Sequence, residues 1–259
     1  MKVCAISDIH QTPLEMAIDM EFDILIFLGD YDGSDTIRKI MQIQERFNRD
    51  DERVIALPGN HEHAGLHEGR YIPIITFGPA LSPKDYLSRF AEYRKELQSD
   101  PQVVNYLRKL IARPWFNIYL DEEEISCKTL ALHGALAGDL GTHIYGDKLD
   151  PNGVEAKLWY RLKTEDDHRK NFKMMERLNL NVLIRGHDRN PQFASMDPQG
   201  KITLSTPKRE EEYDLMPDKR QTITVGEYRN GHYVLIDTKV PGKTNPVAYF
   251  KLLPNIGNR

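Results

Sequence analysis

Five places in the chain set Asp, Asn or His directly after a short apolar run. They are Asp8-Ile9-His10, Gly29-Asp30, Gly59-Asn60-His61-Glu62, His133-Gly134 and Gly186-His187. The runs before them are Val3 to Ile6, Ile24 to Leu28, Val54 to Leu57, Leu130 to Leu132 and Val182 to Ile184. Taken singly, each cluster has an ordinary structural explanation: a cap, a turn or a satisfied core histidine. Their conjunction at five strand ends points elsewhere. Imidazole with carboxylate suits a pair of divalent transition metals (Mn, Fe, Zn or Ni) over calcium, and the lack of thiolates argues against a closed structural zinc site. Two such ions about 3.5–4 Å apart need a shared anionic ligand, which a carboxylate on a rigid strand end supplies. Two carboxylates and neutral histidines leave that centre with surplus positive charge. It favours an anionic substrate and a hydroxide at neutral pH, hence in-line attack on phosphorus.

Such residues act together only if the chain brings the five ends to one place. Aliphatic runs of this length suit strands buried on both faces of an α/β sheet, whose carboxyl ends face the functional crevice. Helices are expected over residues 12–20, with Thr12 as N-cap and Pro13 at the first helical position, and over 34–47. Residues 83–111 read as two helices parted near Asp100-Pro101. Thr164-Glu165-Asp166-Asp167 resembles a capping signal for a helix with Phe172, Met175 and Leu178 on one face. Phe116 to Leu120 and Ile125 to Leu132 flank an acidic turn as a hairpin, and 222–237 reads as a second hairpin around Asn230-Gly231. Residues 196–220, with Pro198, Gly200, Pro207 and the run Lys208 to Glu212, read as an exposed loop. A single α/β domain over 1–259 is the economical description.

The 259 residues are 40% hydrophobic and 29% charged, an ordinary globular profile, with no apolar run long enough to span a bilayer. The N-terminal apolar stretch is too short for a signal peptide, and the two cysteines, Cys4 and Cys127, make no disulfide framework. A cytoplasmic address is the simplest expectation. A net charge of -4 argues against stable duplex nucleic-acid binding and against anionic membranes.

In their order and local context, Asp8-x-His10, Gly29-Asp30, Gly59-Asn60-His61-Glu62, His133-Gly134 and Gly186-His187 resemble the motifs of the calcineurin-like metallophosphoesterases. The resemblance spans residues 4 to 188. It implies a four-layer α/β/β/α sandwich of two mixed sheets with flanking helices, and a dinuclear metal site at the strand carboxyl ends. A helical insertion at about 64–113 would overhang that site. Asp8 and His10 would bind the first metal, Asp30 would bridge to the second, and Asn60, His133 and His187 would complete the ligands of the second metal. A bridging hydroxide would be the nucleophile, with manganese the expected assay metal. His61 would act as general acid over the leaving group, with Asn60 beside it facing the substrate. The implied activity is hydrolysis of a phosphomonoester, phosphoprotein or nucleotide polyphosphate. A phosphodiesterase or nuclease of the same superfamily is the enzymatic alternative, and a degenerate scaffold the non-catalytic one.

Three positions depart from the usual pattern. Many members end on Gly-His-x-His, where this chain has Arg189, so the first metal rests on Asp8, His10 and Asp30 unless Asp188 swings in. Arg185-Gly186-His187 and His133 to Leu140 resemble the serine/threonine protein phosphatase and dinucleoside-tetraphosphatase branch. That branch has a phosphate-clamping Arg where this chain has Ser34. Arg189 is the first candidate to replace it, ahead of Arg161 and Arg70. Glu62 is expected to bond the turn that presents His61. Specificity is expected between His63 and Pro114, which carries Tyr71, Phe77, Tyr86, Phe90 and Tyr93. His63 and His67 could line the substrate rim; His143, His168 and His232 are given no role.

Overall fold

Successive strand residues point to opposite faces of a sheet. In the five apolar runs both sets are aliphatic, so each sheet needs a cover on both sides. The computed structural model describes residues 1–66, 91–113, 115–122, 125–136, 158, 160–208 and 210–253. Among them, twelve strands form two mixed sheets of six. Sheet I contains β1 (Lys2–Ile6), β2 (Ile24–Phe27), β3 (Val54–Ala56), β9 (Glu212–Asp214), β11 (His232–Asp237) and β12 (Val247–Leu252), in the order β3-β2-β1-β11-β12-β9. Sheet II contains β4 (Trp115–Glu122), β5 (Ile125–Leu132), β6 (Val182–Arg185), β7 (Gln192–Met196), β8 (Ile202–Ser205) and β10 (Arg220–Thr224), in the order β4-β5-β6-β10-β7-β8. The strands β1, β2 and β3 run parallel, as do β5, β6 and β10.

Alternation then assigns the layers. Val3, Ala5, Ile26, Leu28 and Ile55 meet Ile118, Leu120, Val182, Ile184 and Ile223 between the sheets. Their neighbours Cys4, Ile6, Leu25, Phe27 and Val54 face outward onto α1 (Glu15–Ile18), α2 (Ser34–Phe47), α4 (Ala91–Gln98) and α5 (Pro101–Ala112). The outer face of sheet II, with Leu130, Leu132 and Leu183, is covered by Phe172, Met174 and Met175 of α6 (Glu165–Arg177). The result is the expected α/β/β/α sandwich. Each aliphatic side chain buried this way contributes about 1.5–3 kcal/mol.

Local signals set the helix starts. Asp100 caps α5 by accepting from the Gln102 and Val103 backbone N–H groups, with Pro101 in the first turn. Thr164 and Asp167 form a reciprocal capping box on α6. Thr164→Ala is expected to lower stability by about 1 kcal/mol, read as a lower urea midpoint at unchanged slope.

Three expectations are corrected. The helix expected over 12–20 shrinks to Glu15–Ile18, capped at Leu14 without a side-chain bond, because Thr12 closes a turn onto Ile9 instead. Residues 222–237 are not a hairpin. Tyr228–Asn230 and Gly231 do form a tight turn, but β10 pairs with β6 and β7 while β11 pairs with β1 and β12. The segment crosses from one sheet to the other. Residues 196–220 are also not one loop: β8 and β9 lie there as edge strands. Of the helices expected over 83–111, residues 83–90 lie outside the described residues. No helix among the described residues is long and apolar enough to cross a membrane.

Candidate active site

The carboxyl ends of β1, β2 and β3 in sheet I and of β5 and β6 in sheet II meet at the seam between the sheets. The His187 backbone N–H donates to Asp8 Oδ2 at 2.9 Å, and His133 Nδ1 lies 2.5 Å from the Leu28 carbonyl. Two glycines permit the close approach. A Cβ on Gly186 would stand 1.6 Å from Ser7 Oγ, and one on Gly59 would stand 2.1 Å from Asp30 Oδ1. The backbone is strained where the donors leave the strands. Asp8, His10, Asp30, Asp32 and His187 all have φ between 47° and 65°. Each such residue costs roughly 1–3 kcal/mol, a strain that packing sustains and that clusters at functional sites. Glu62, in α3 (Asn60–Leu66), holds the turn together. Its fully buried carboxylate accepts from the backbone N–H groups of Gly59, Asp30 and Tyr31, and from Tyr93 Oη at 3.3 Å.

Two donor groups result. In the first, Asp8, Asp30, His133 and His187 are all buried, each offering an atom within 4.8 Å of the others. Asn60 joins them, its Oδ1 2.9 Å from His133 Nε2. In the second, half-buried His10, Asp32 and His61 stand equally close. His10 Nδ1 lies 2.5 Å from Asp32 Oδ2, and His61 Nδ1 bonds Asp32 Oδ1. His10 thus gathers with Asp32 and His61, at the edge of the group that holds Asp8 and Asp30.

Charge and protonation follow the same division. Burial raises the pKa of Asp8 despite the opposing charge of His133. Burial also opposes ionisation of Asp30, but the charges of His133 and His61 outweigh it and hold that carboxyl well below its usual range. Burial, then the charges of His133 and Arg161, push His187 well below its ordinary value. For His61 the charge of Asp30 and the bond to Asp32 overcome burial and lift the imidazole to about 9.

The first group fits a cation. With Nδ1–H of His133 given to the Leu28 carbonyl, its Nε2 lone pair faces Asn60 Oδ1, Asp30 Oδ1 at 3.4 Å and His187 Nδ1 at 3.1 Å. Lone pairs converging in a buried space need a proton or a metal among them. Asp30 raises the pKa of His133 against burial, which favours a proton there in the metal-free protein.

A model of the calcineurin-like phosphoesterase family matches residues 1–191, nearly three quarters of the chain. The chain belongs to the calcineurin-like phosphoesterase family. Its fold is similar to the crystal structure of a metallophosphoesterase from Sphaerobacter thermophilus, with TM-score 0.59 and 16% identity, covering 98% of this chain and 88% of that one. A hypothetical protein from Pyrococcus horikoshii OT3 is also similar, with TM-score 0.53 and 10% identity over 98% of this chain and 90% of that one. No curated protein matches the chain. Membership makes this calcineurin-like protein a metal-dependent phosphoesterase, and the buried Asp/His group fits a dinuclear metal site.

Several expected residues of this phosphoesterase take other parts. Asp188 is engaged twice, by Arg185 Nη1 at 2.7 Å and Arg161 Nη1 at 3.0 Å, so it is held away from a metal role. Arg185 is itself fully buried and donates to the Gly134 carbonyl, steadying the turns after both His133 and His187. Ser34, at the place of the clamping Arg, bonds Glu96 of α4. Arg189 is 79% exposed and lies 3.9 Å from Glu227. His63 is buried in α3, and His168 in α6. Arg70, Tyr71, Phe77, Tyr86, Phe90, His67 and His143 lie outside the described residues.

The motifs do not single out Asp32, which binds two site histidines. Its one signal is its place two residues after Asp30, where a second carboxylate leaves the same strand end.

Proposed function

We propose that the protein hydrolyses a phosphate monoester or nucleotide polyphosphate at a dinuclear centre held by Asp8, His10, Asp30, Asn60, His133 and His187. Asp30 carries this reading. Its Oδ1 lies 3.4 Å from His133 Nε2 in one donor group and its Oδ2 lies 3.6 Å from His61 Nε2 in the other. A buried carboxylate with one oxygen toward each group suits a bridging ligand. When bound, two divalent ions supply Lewis acidity toward phosphoryl oxygens and a water acidic enough to attack at neutral pH.

The chain's own groups do the rest. Asp8 keeps its Oδ2 on the Ser7 hydroxyl and the His187 N–H, which fixes the carboxylate's orientation. Asp32 occupies Nδ1 of both His10 and His61, which leaves Nε2 of His10 as its metal donor and Nε2 of His61 for the substrate. In the metal-free protein Asp30 and the bond to Asp32 raise the His61 pKa to about 9, which favours the imidazolium, and that acid is placed to deliver a proton to the departing oxygen. Asn60 and the exposed Arg189 complete the substrate contacts. Arg185-Gly186-His187 supports the protein phosphatase and dinucleoside-tetraphosphatase branch, from which Ser34 departs. Manganese is the metal for assay, with iron, zinc and nickel as alternatives. Two buried free cysteines suit a cytoplasmic address.

The test is a substrate panel of 4-nitrophenyl phosphate, bis(4-nitrophenyl) phosphate, a phosphopeptide and a dinucleoside polyphosphate, run with elemental analysis. Two metals per chain and preference for the monoester or polyphosphate are expected. Faster turnover of the bis-aryl ester would transfer the assignment to a phosphodiesterase, and no turnover by metal-loaded protein would leave a scaffold.

A further inference from the structure

The chain leaving His187 lines a cavity of about 370 Å³. Its lining includes Arg161, Asp188, Arg189, Gln192, Thr206 and Thr224. Such a volume is at the lower end for pockets that take small ligands, and this lining is mostly polar. Charge is the distinctive feature. Asp188 is neutralised from behind by the buried guanidinium of Arg185, before Arg161 approaches its other oxygen at 3.0 Å. Glu227 is likewise held by Arg229 at 2.8 Å, with Arg189 farther away at 3.9 Å. Four guanidinium groups therefore face two carboxylates, and the two left in surplus, Arg161 and Arg189, are those that line the cavity.

The cavity also adjoins the metal-ligand group along the chain, since its lining residues Asp188 and Arg189 directly follow His187. Arg161 makes one hydrogen bond among the described residues, which leaves most of its planar fork of donors for an incoming anion. Gln192 and Thr206 line the same space.

We propose that this cavity binds a second phosphoryl group of the substrate, so that the enzyme favours a phosphate ester or anhydride bearing two phosphates over a simple monoester. The proposal rests on the phosphoesterase reading and sharpens its substrate class. A phosphoryl group presents several strong acceptor oxygens, and arginine engages two of them at once. The phosphorus that reacts stays at the donor groups, while the second phosphate fixes the register of the substrate along the seam.

Binding can be read without turnover. Metal-free, EDTA-treated and dialysed protein is titrated calorimetrically with inorganic tripolyphosphate. One site is expected, and Arg161→Gln should weaken it at least about tenfold, the loss of a charge-assisted bond. Arg189→Gln, which removes a side chain 79% exposed and so leaves packing intact, should act in the same direction. Lys239→Gln removes an exposed charge after β11, remote from the lining, and should leave binding unchanged. Absent tripolyphosphate binding, or equal loss in all three variants, overturns the cavity proposal. Hydrolysis of 4-nitrophenyl phosphate and of a dinucleoside polyphosphate by metal-loaded wild type is measured alongside. Turnover of neither would overturn the underlying phosphoesterase reading, while the calorimetric result would stand or fall by itself.

Discussion

Asp30→Asn is expected to lower kcat/KM for a phosphate ester by at least about 10³ and to reduce the metal retained after purification. The change is nearly isosteric. An amide oxygen can still accept the His61 backbone N–H, which Asp30 Oδ1 now receives at 3.1 Å. The loss is therefore one of charge. Asp30 is buried yet held in its ionised form by His133 and His61, and it is the carboxylate with an oxygen toward each donor group. Without it, two metals would lose their common anion, and His133 would lose the group that raises its pKa. Kinetics with a monoester, elemental analysis and a circular dichroism spectrum separate the outcomes. Full metal content with full activity would remove Asp30 from the bridging position.

His61→Ala is expected to lower kcat about 10²–10⁴ while metal content stays near that of the wild type. His61 is bonded through its ring to Asp32 and is not needed to complete the buried Asp8, Asp30, His133 and His187 group. The deficit should shrink for aryl esters with acidic phenols, whose leaving groups need less protonation. The same residue links stability to pH. Its folded-state pKa of about 9 lies above the ordinary 6.5, because Asp30 and Asp32 favour the imidazolium. The folded state therefore binds the proton more tightly, and that stabilisation is complete below pH 6.5 and lost as pH rises through about 9. Urea midpoints of metal-free protein at pH 6 and pH 9.5 should fall more for wild type than for His61→Ala.

Much of the fold was legible because its central strands are buried on both faces. Such strands must be apolar throughout, and the runs Val3 to Ile6, Ile24 to Leu28 and Val182 to Ile184 announce themselves without tertiary information. The edges were not. Strand β8 is largely exposed, and β9 is half-exposed or exposed, so their backbones pair without an apolar pattern, and residues 196–220 read as loop. Asn230-Gly231 marked a true turn but named the wrong partner, since turn chemistry is local whereas strand pairing across the sandwich is not.

The site divides along the same line. By itself the sequence determined that Asp8, His10, Asp30, Asn60, His61, His133 and His187 stand in the turns after five strands, and that Glu62 bonds the turn presenting His61. Each is set by a strand end and its turn, which are properties of a few consecutive residues. Only the tertiary structure decided that Asp32 gathers His10 and His61, that Ser34 belongs to Glu96, and that two arginines hold Asp188. Those partners come from different strand ends and helices, and packing the two sheets against each other sets the distances between them.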